Sequence, residues 1–393
     1  MTAAPPLAGI RVLDFSRVFA GPYATMMLGD LGAEVIKVEP PTGDEARYFG
    51  PPFLAGEGMN FMAINRGKRG IVLDLKRPEA VGIAHQLAAR ADVVVENFRP
   101  GVADRLGIGY AELSATNRGL VYCSISGFGP DSPYADRPAV DPVLQAMGGL
   151  MEKQGHGIRP EWVCVALADT YAASLATQGI LAALLARGRD AGAGQRVEIS
   201  LYEALVAAQG YRMVSGLDRV ELPAWDDTVP NGAFRGSDGA WLVLTVATAR
   251  NWTALCSALE RQDLEADGRF ASNALRVAAR AELMPILEAA FATRPAADWL
   301  ARLGAAGVPA GPVRTVEDVI VDESLERAGV IVRSQHATAG EVRTMGSALH
   351  LDRTPVRVEG ATPVLGQHTR AVLADLGLDD GAVEALFEAG AVR

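Results

Sequence analysis

The feature that most constrains this chain is an opening alternation of short apolar runs with a helical stretch. Ile10 to Phe15 is apolar, and a loop follows through Ser16-Arg17-Val18-Phe19-Ala20-Gly21-Pro22. A small and apolar helical face comes next (Ala24 to Leu31), then a second apolar run from Ala33 to Val38. Strand, helix and strand at this spacing imply a right-handed parallel crossover. The pattern continues, with Gly70 to Leu73 as strand, Pro78 to Ala89 as helix, and Val93 to Val95 and Leu120 to Ser124 as strands. The expected fold class is α/β, an open, mostly parallel Rossmann-like sheet that takes ligands beyond the carboxyl ends of its strands.

At 393 residues the chain is too long for one simple core, so two domains are expected. Apolar Pro160 to Ala168 leads into a long Ala/Leu helix from about Asp169 to Arg187. A Gly/Ala loop (Arg189 to Gln195), a strand (Arg196 to Ser200) and a helix (Leu201 to Gly210) follow. Composition changes at Leu222 to Gly232, which holds two prolines, two aspartates and a tryptophan. That stretch divides residues 1–222, the N-terminal part of a large domain, from a smaller α+β domain over 223–330. The small domain should hold a strand at Trp241 to Thr245 and helices near Asn251 to Ala258, Ala278 to Phe291 and Ala296 to Leu303. Residues 331–393 form a last segment of short strands and prolines ending in helices at Thr369 to Leu376 and Gly381 to Ala389.

The net charge of −10 argues against a nucleic-acid partner, which needs a clustered Lys/Arg excess, yet leaves room for a phosphorylated small ligand held by local basic groups. Cys123, Cys164 and Cys256 lie far apart without C-x-x-C spacing, so neither a disulfide framework nor a zinc site is expected. Met1 to Gly9 has no basic n-region and no long apolar stretch. The longest apolar segment, Val163 to Ala186, is interrupted by Asp169, Thr170, Tyr171, Thr177 and Gln178, which suits a buried helix rather than a membrane span. A cytoplasmic protein is expected.

The first strand–helix turn has only Gly21, followed by Pro22, in place of G-x-G-x-x-G, so Glu39 after the second strand does not make a dinucleotide site. Pro22 suits the first turn of a helix. The cluster Asn65-Arg66-Gly67-Lys68-Arg69-Gly70, extended by Lys76, Arg77, Arg99 and Arg105, reads either as a solvated turn or as an anion site. Asp169 stands where a helix begins. It suits an N-cap first of all, and the same position also suits a nucleophile kept ionised by the helix end within small apolar surroundings. His85, His156, His336, His350 and His368 show no metal-ligand spacing, and neither G-x-S-x-G nor a Walker loop is present.

Several segments, in order, resemble the class III CoA transferase family, from Leu7 to beyond Thr369. They are Gly9-Ile10-Arg11-Val12-Leu13-Asp14, Ala20-Gly21-Pro22, Gly32 to Glu39, Lys68-Arg69, Glu96-Asn97-Phe98-Arg99-Pro100-Gly101 and Gly127-Phe128-Gly129. Asp141-Pro142-Val143, Gln145 to Gly149, Ala168-Asp169, Gly307-Val308-Pro309 and Gly366-Gln367-His368-Thr369 complete the set. The resemblance implies that Asp169 is the nucleophile of a CoA transferase working through an aspartyl anhydride and an aspartyl-CoA thioester. It implies CoA contacts at Leu73, Asp74, Leu75 and Lys76, at Asn97, Phe98 and Arg99, and at Arg105. Phe19, Ala20, Arg47 and Val140 would face the acyl substrate.

The resemblance further implies an interlocked homodimer whose large domain takes strands from both chain ends. Neither metal nor a permanently bound cofactor is implied, coenzyme A being part of the substrate. Two departures bear on the acids used. Formyl-CoA transferase has a glutamine where this chain has Phe19, and Ser215 to Gly232 contains nothing like its glycine-rich lid. Formate and oxalate are therefore not expected. Arg17 or Arg47 could recognise the second carboxylate of a dicarboxylate. An α-methylacyl-CoA racemase would need a histidine just before Asp141, where this chain has Val140. A non-catalytic acyl-CoA-binding protein would have no use for Asp169.

Overall fold

A computed structural model describes residues 3–154, 159–210, 213 and 228–393. The expected boundary at residue 222, most of the missing lid segment and His156 lie outside the described residues. The chain divides into two compact units, one formed by residues 1–210 with 323–393 and the other by 211–322.

The first unit is organised by six strands, β1 (Arg11–Asp14), β2 (Glu34–Glu39), β3 (Arg69–Val72), β4 (Val93–Glu96), β5 (Val121–Ser126) and β6 (Arg196–Ser200). They form one sheet in the order β3-β2-β1-β4-β5-β6, with every pairing parallel. Its helices include α1 (Ala20–Asp30), α2 (Pro78–Arg90), α3 (Asp141–Met147), α4 (Leu167–Arg187) and α5 (Leu201–Ala208). Strand residues alternate between two apolar layers, as a sheet covered on both faces requires. Leu13, Ile71 and Val94 pack with Ile83, Leu87 and Leu373, whereas Val12, Val93 and Val95 pack with Ala24, Leu28, Ala176 and Ile180. Alanines at 172, 173 and 176 give α4 a narrow buried face against the second layer.

Residues 360–393 run along the edge strand β3. Gly70 donates its amide to His368 Nδ1 (3.0 Å), Val72 donates to the Thr369 hydroxyl (3.3 Å), and Asp74 donates to the Ala391 carbonyl (2.9 Å). These bonds occupy donors that an open sheet edge would leave free. The second unit holds β7 (Asn231–Arg235), β8 (Trp241–Thr245) and β9 (Ala310–Pro312), joined antiparallel in the order β9-β8-β7. Its helices α6 (Ala249–Ala258), α7 (Arg280–Phe291) and α8 (Ala296–Ala306) close a core around Phe234, Trp252, Phe291 and Trp299. Among the described residues, no helix is long and apolar enough to cross a membrane.

Candidate active site

The strand order reverses between β1 and β4, and open α/β sheets place ligands beyond the carboxyl ends of such strands. Two segments meet there, the Ser16–Phe19 loop after β1 and the Asn97–Arg99 turn after β4. The Asn97 side chain bridges them. Its Oδ1 accepts the Arg17 amide (2.7 Å) and its Nδ2 donates to the Arg17 carbonyl (2.8 Å). Glu96, beside it, accepts the Phe98 amide (2.8 Å) and the Ser124 hydroxyl, and burial holds its carboxyl above the ordinary value.

Beneath the loop lies a buried set of charges. Asp14, Lys37 and Asp44 are fully enclosed, and Lys68 nearly so. Lys37 Nζ donates to the Ser16 carbonyl and to Asp44 (2.9 Å), and Asp44 accepts the Val18 amide with both oxygens (3.0 and 3.2 Å). Asp14 accepts from the Ser16 amide (3.0 Å), the Ser16 hydroxyl, the Thr25 hydroxyl (2.7 Å) and Lys68 (3.0 Å). Burial raises the cost of ionising Asp14, but Lys68, Lys37 and these donors outweigh it and hold the carboxyl down to about 2.

Val18 has a φ of 64°, a left-handed conformation that costs a β-branched residue on the order of 1–3 kcal/mol and persists only where the surroundings impose it. The loop hands the chain to α1 at Ala20, which is buried. A Cβ on Gly21 would fall 2.2 Å from the Ser16 Cβ, so only glycine lets the helix start this close.

Asp169 lies in the first turn of α4, which begins two residues before the sequence suggests, with Ala166 at the cap position and no side-chain cap bond. The capping role for Asp169 is corrected by this. The carboxylate that serves this helix end is Asp141, at the start of α3, which accepts the Ala168 amide at 2.7 Å. Asp141 also accepts from Gln145, one turn along α3. Gln145 in turn donates to the Val163 and Val165 carbonyls (3.1 and 3.2 Å) and accepts the Val163 amide (2.9 Å). Gln145 therefore fixes the segment that leads into Asp169.

Burial first, and the Asp141 carboxylate second, push Asp169 up to about 7, while the Ala20 amide acts the other way by favouring the charged form. The expectation that the helix end keeps this carboxylate ionised is thereby corrected, and acid and carboxylate coexist near neutrality. Because its folded value stands above the ordinary 3.8, ionisation of Asp169 destabilises the fold as pH rises through that interval. Asp169→Asn should therefore leave stability unchanged below about pH 4 and raise it above pH 7. The ceiling is about 4 kcal/mol, and we expect about 2 because the group is only half-buried. Thermal unfolding of both proteins at pH 4 and pH 8 tests this, and an equal difference at the two pH values would refute it.

Leu73, Asp74, Leu75, Lys76 and Phe98 line one small cavity of about 80 Å³, together with Arg17. Phe98 and Arg99 border a groove of about 790 Å³ beyond β4, β5 and β6. Lys76, Arg99 and Arg105 are exposed. Asp169 lines neither space. Phe19 is half-buried at the cap of α1, its ring edge-on to Tyr23 at 5.8 Å, and Val140 is exposed at the cap of α3.

Two expectations fail on geometry. Arg47 is buried, with Nε and one terminal nitrogen on Glu39 (2.8 Å each), the other terminal nitrogen on Glu57 (2.9 Å), and its guanidinium 3.7 Å from the centre of the Phe61 ring. Its charge is already neutralised, which removes it from the candidate substrate contacts. The basic cluster is neither a solvated turn nor an anion site at Arg66 and Lys68. Arg66 is buried on Asp30, and Lys68 on Asp14, the Pro22 carbonyl (2.8 Å) and Asn65 (2.8 Å). Burial lowers Lys68 to about 8 against the pull of Asp14. The residues that sequence reasoning left without a role are Asp141, Gln145, Lys37 and Asp44. Of these only Asp141 and Gln145 gave a local signal, an acid and an amide one helical turn apart.

The sequence profile described as CoA-transferase family III matches residues 7–369. The chain is similar to succinyl-CoA:glutarate CoA-transferase of Mus musculus, 37% identical over 399 residues that cover 99% of this chain and 90% of that protein. It is also similar to succinate–glutarate CoA-transferase of Agrobacterium fabrum (strain C58), 36% identical over 95% of this chain and 96% of the relative. Among solved structures, a CAIB/BAIF family protein from Brucella suis superposes with a TM-score of 0.86 at 34% identity, covering 95% of this chain and all of the other.

Proposed function

This chain belongs to CoA-transferase family III and is a CoA transferase, and on that premise we propose that it moves CoA from an acyl-CoA to a dicarboxylic acid through covalent intermediates on Asp169. The observation that carries the mechanism is the Asp141 carboxylate beside a half-buried Asp169 at the start of α4. A neighbouring carboxylate makes Asp169 more basic and so a better nucleophile, and it favours any state in which Asp169 carries no charge. An acylated aspartate is such a state.

In the proposed sequence, an Asp169 oxygen attacks the donor thioester carbonyl and the carbon–sulfur bond breaks, giving a mixed anhydride and CoA thiolate. The thiolate attacks the aspartyl carbonyl, releasing the donor carboxylate and leaving an aspartyl-CoA thioester. The acceptor carboxylate attacks that thioester and expels the thiolate. Finally the thiolate attacks the acceptor carbonyl of the new anhydride and frees Asp169. Each step exchanges bonds of similar energy, so no ATP is consumed. The Ala20 amide and the amino end of α4 favour negative charge at this place.

Leu73 to Lys76, the main chain of Asn97, Phe98, Arg99 and Arg105 are assigned to CoA, with the exposed cations toward its phosphates. Phe19, Ala20 and Val140 are assigned to the acyl group. Arg17 lines the same cavity as Leu73 to Lys76 and stacks over the Phe98 ring at 5.3 Å, which supports a CoA contact rather than recognition of a second carboxylate. The dicarboxylate assignment rests on the names of the two curated relatives above. An interlocked homodimer in the cytoplasm completes the reading.

Intact-mass analysis after incubation with succinyl-CoA, acetyl-CoA and propionyl-CoA tests it. The expected result is a CoA-sized adduct on Asp169 from succinyl-CoA that hydroxylamine removes and glutarate discharges to glutaryl-CoA. Tight CoA binding with no adduct from any donor would reject the covalent mechanism. Discharge by monocarboxylates alone would reject the dicarboxylate assignment.

A further inference from the structure

Gln145 is fully buried on α3, and its neighbour Leu144 belongs to an apolar cluster with Leu150, Ala168 and Leu205. Its side-chain amide makes four bonds, all directed to two places. Nε2 donates to Asp141 Oδ1 (2.5 Å) and to the Val163 and Val165 carbonyls, while Oε1 accepts the Val163 amide. Glutamine can meet this set because it donates and accepts at once. A carboxylate or an apolar side chain of the same length cannot.

Both places lead to Asp169 through hydrogen bonds and peptide bonds alone. On one side, Asp141 Oδ2 accepts the amide of Ala168, the residue before Asp169. On the other, the Val165 carbonyl accepts the Leu167 amide (2.7 Å), and the Ala166 carbonyl accepts the Thr170 amide (2.9 Å). Residues 163–170 are thus tied together from the approach to α4 into its first turn. The cap residue Ala166 supplies no side-chain bond, so the donors of this helix end depend on a carboxylate from α3. A buried polar network is a costly way to pack a helix start, and what it adds to apolar packing is one fixed geometry.

We propose that Gln145 is a positioning residue for CoA transfer, its amide fixing the first turn of α4, and with it Asp169, through Asp141 and through the Val163–Val165 segment. Without that amide, Asp141 Oδ1 loses a donor and the approach to α4 loses its tie to α3. The nucleophile is then held in several places rather than one.

The effect on rate rests on the reading of Asp169 as nucleophile, but the placement can be read without turnover. Gln145→Met keeps the length of the side chain and removes all four bonds. Hydrogen exchange at the Val163 and Ala168 amides should be at least about tenfold faster in this variant than in wild type. With the fastest acyl-CoA donor, kcat should fall about 10- to 100-fold, with KM for the acyl-CoA changing less than about threefold. That split is expected because Gln145 borders neither the cavity at Leu73 to Lys76 nor the groove at Arg99.

A second pair of variants tests the route through Asp141. Gln145→Glu sets a carboxylate against Asp141, and adding Asp141→Asn restores a donor facing an acceptor while leaving an oxygen for the Ala168 amide. The double variant should lose at least about tenfold less kcat than the two single losses multiplied together. Where Gln145→Met proves too unstable, Gln145→Glu is read by the same exchange measurement. Unchanged exchange overturns the proposal, as does faster exchange with kcat within threefold of wild type, a loss confined to KM, or losses that simply multiply. Failure of wild type to form an adduct would reject the covalent mechanism alone, and exchange together with kcat would still decide the part of Gln145.

Discussion

Alanine at Asp169 should lower the rate of CoA transfer by about 10⁴-fold or more and leave no covalent CoA adduct. In the proposed mechanism every bond-making step passes through the Asp169 carboxyl, so no partial route remains when its oxygens are gone. Positioning of the acyl-CoA and acceptor carboxylate side by side would persist and would supply whatever residual rate is seen. Asp169→Asn should show the same loss, because an amide keeps the shape but cannot form the anhydride. The two variants thus separate nucleophilicity from packing: if asparagine were active and alanine dead, Asp169 would be acting through contacts rather than chemistry. The assay is initial-rate formation of glutaryl-CoA from succinyl-CoA, and residual rates within tenfold of wild type in both variants would sink the assignment. CoA affinity should change little, since Asp169 lines neither cavity beside Leu73 to Lys76 and Arg99.

Val93-Val94-Val95 and Arg196 to Ser200 fall within a residue of the observed β4 and β6. The first was legible because a parallel strand buried on both faces needs a continuous apolar run, and the second because apolar and polar residues alternate along an edge strand. The start of α1 was not, since Phe19-Ala20-Gly21-Pro22 has the composition of a turn. Its glycine answers instead to the closeness of Ser16 and its proline to the first helical turn. Asp169 was singled out by resemblance, whereas bare sequence favoured capping, and capping belongs to Asp141, 27 residues earlier than its Ala168 partner.

The basic cluster misled for a similar reason. Lys68 finds Asp14 across 54 positions and Arg66 finds Asp30 across 36, and no local window shows such partners. Arg17 and Asn97, 80 positions apart, meet only because β1 and β4 are neighbours in the sheet. What sequence supplied was which residues carry charge; which charges are already taken is decided by the strand order.

Methionine at Lys37 should destabilise the protein by about 3–5 kcal/mol at pH 7, the scale for removing one partner of a buried ion pair. Lys37 is fully enclosed, and its charge is set against Asp14 and Asp44, with Glu39 near. Methionine keeps the length of the side chain while leaving Asp44 and the Ser16 carbonyl without their cation. Asp14 keeps Lys68 but loses its second cation. The dependence on pH has a definite sign. In wild type both carboxyls lie below their ordinary value of 3.8, so the stability they confer is present above about pH 4 and is lost as pH falls through their folded values, about 2 for Asp14. Without Lys37 those carboxyls take up protons at higher pH, which relieves the uncompensated charge. The deficit should therefore be greatest near neutrality and shrink toward pH 4. Lys37→Met combined with Asp44→Asn should recover a substantial part of it at pH 7, because the second change removes the stranded charge. Urea unfolding of the three proteins at pH 4.5 and pH 7 measures this. A deficit below about 1 kcal/mol at pH 7, or a double variant no more stable than Lys37→Met, would show that the buried cluster is not holding the loop by charge.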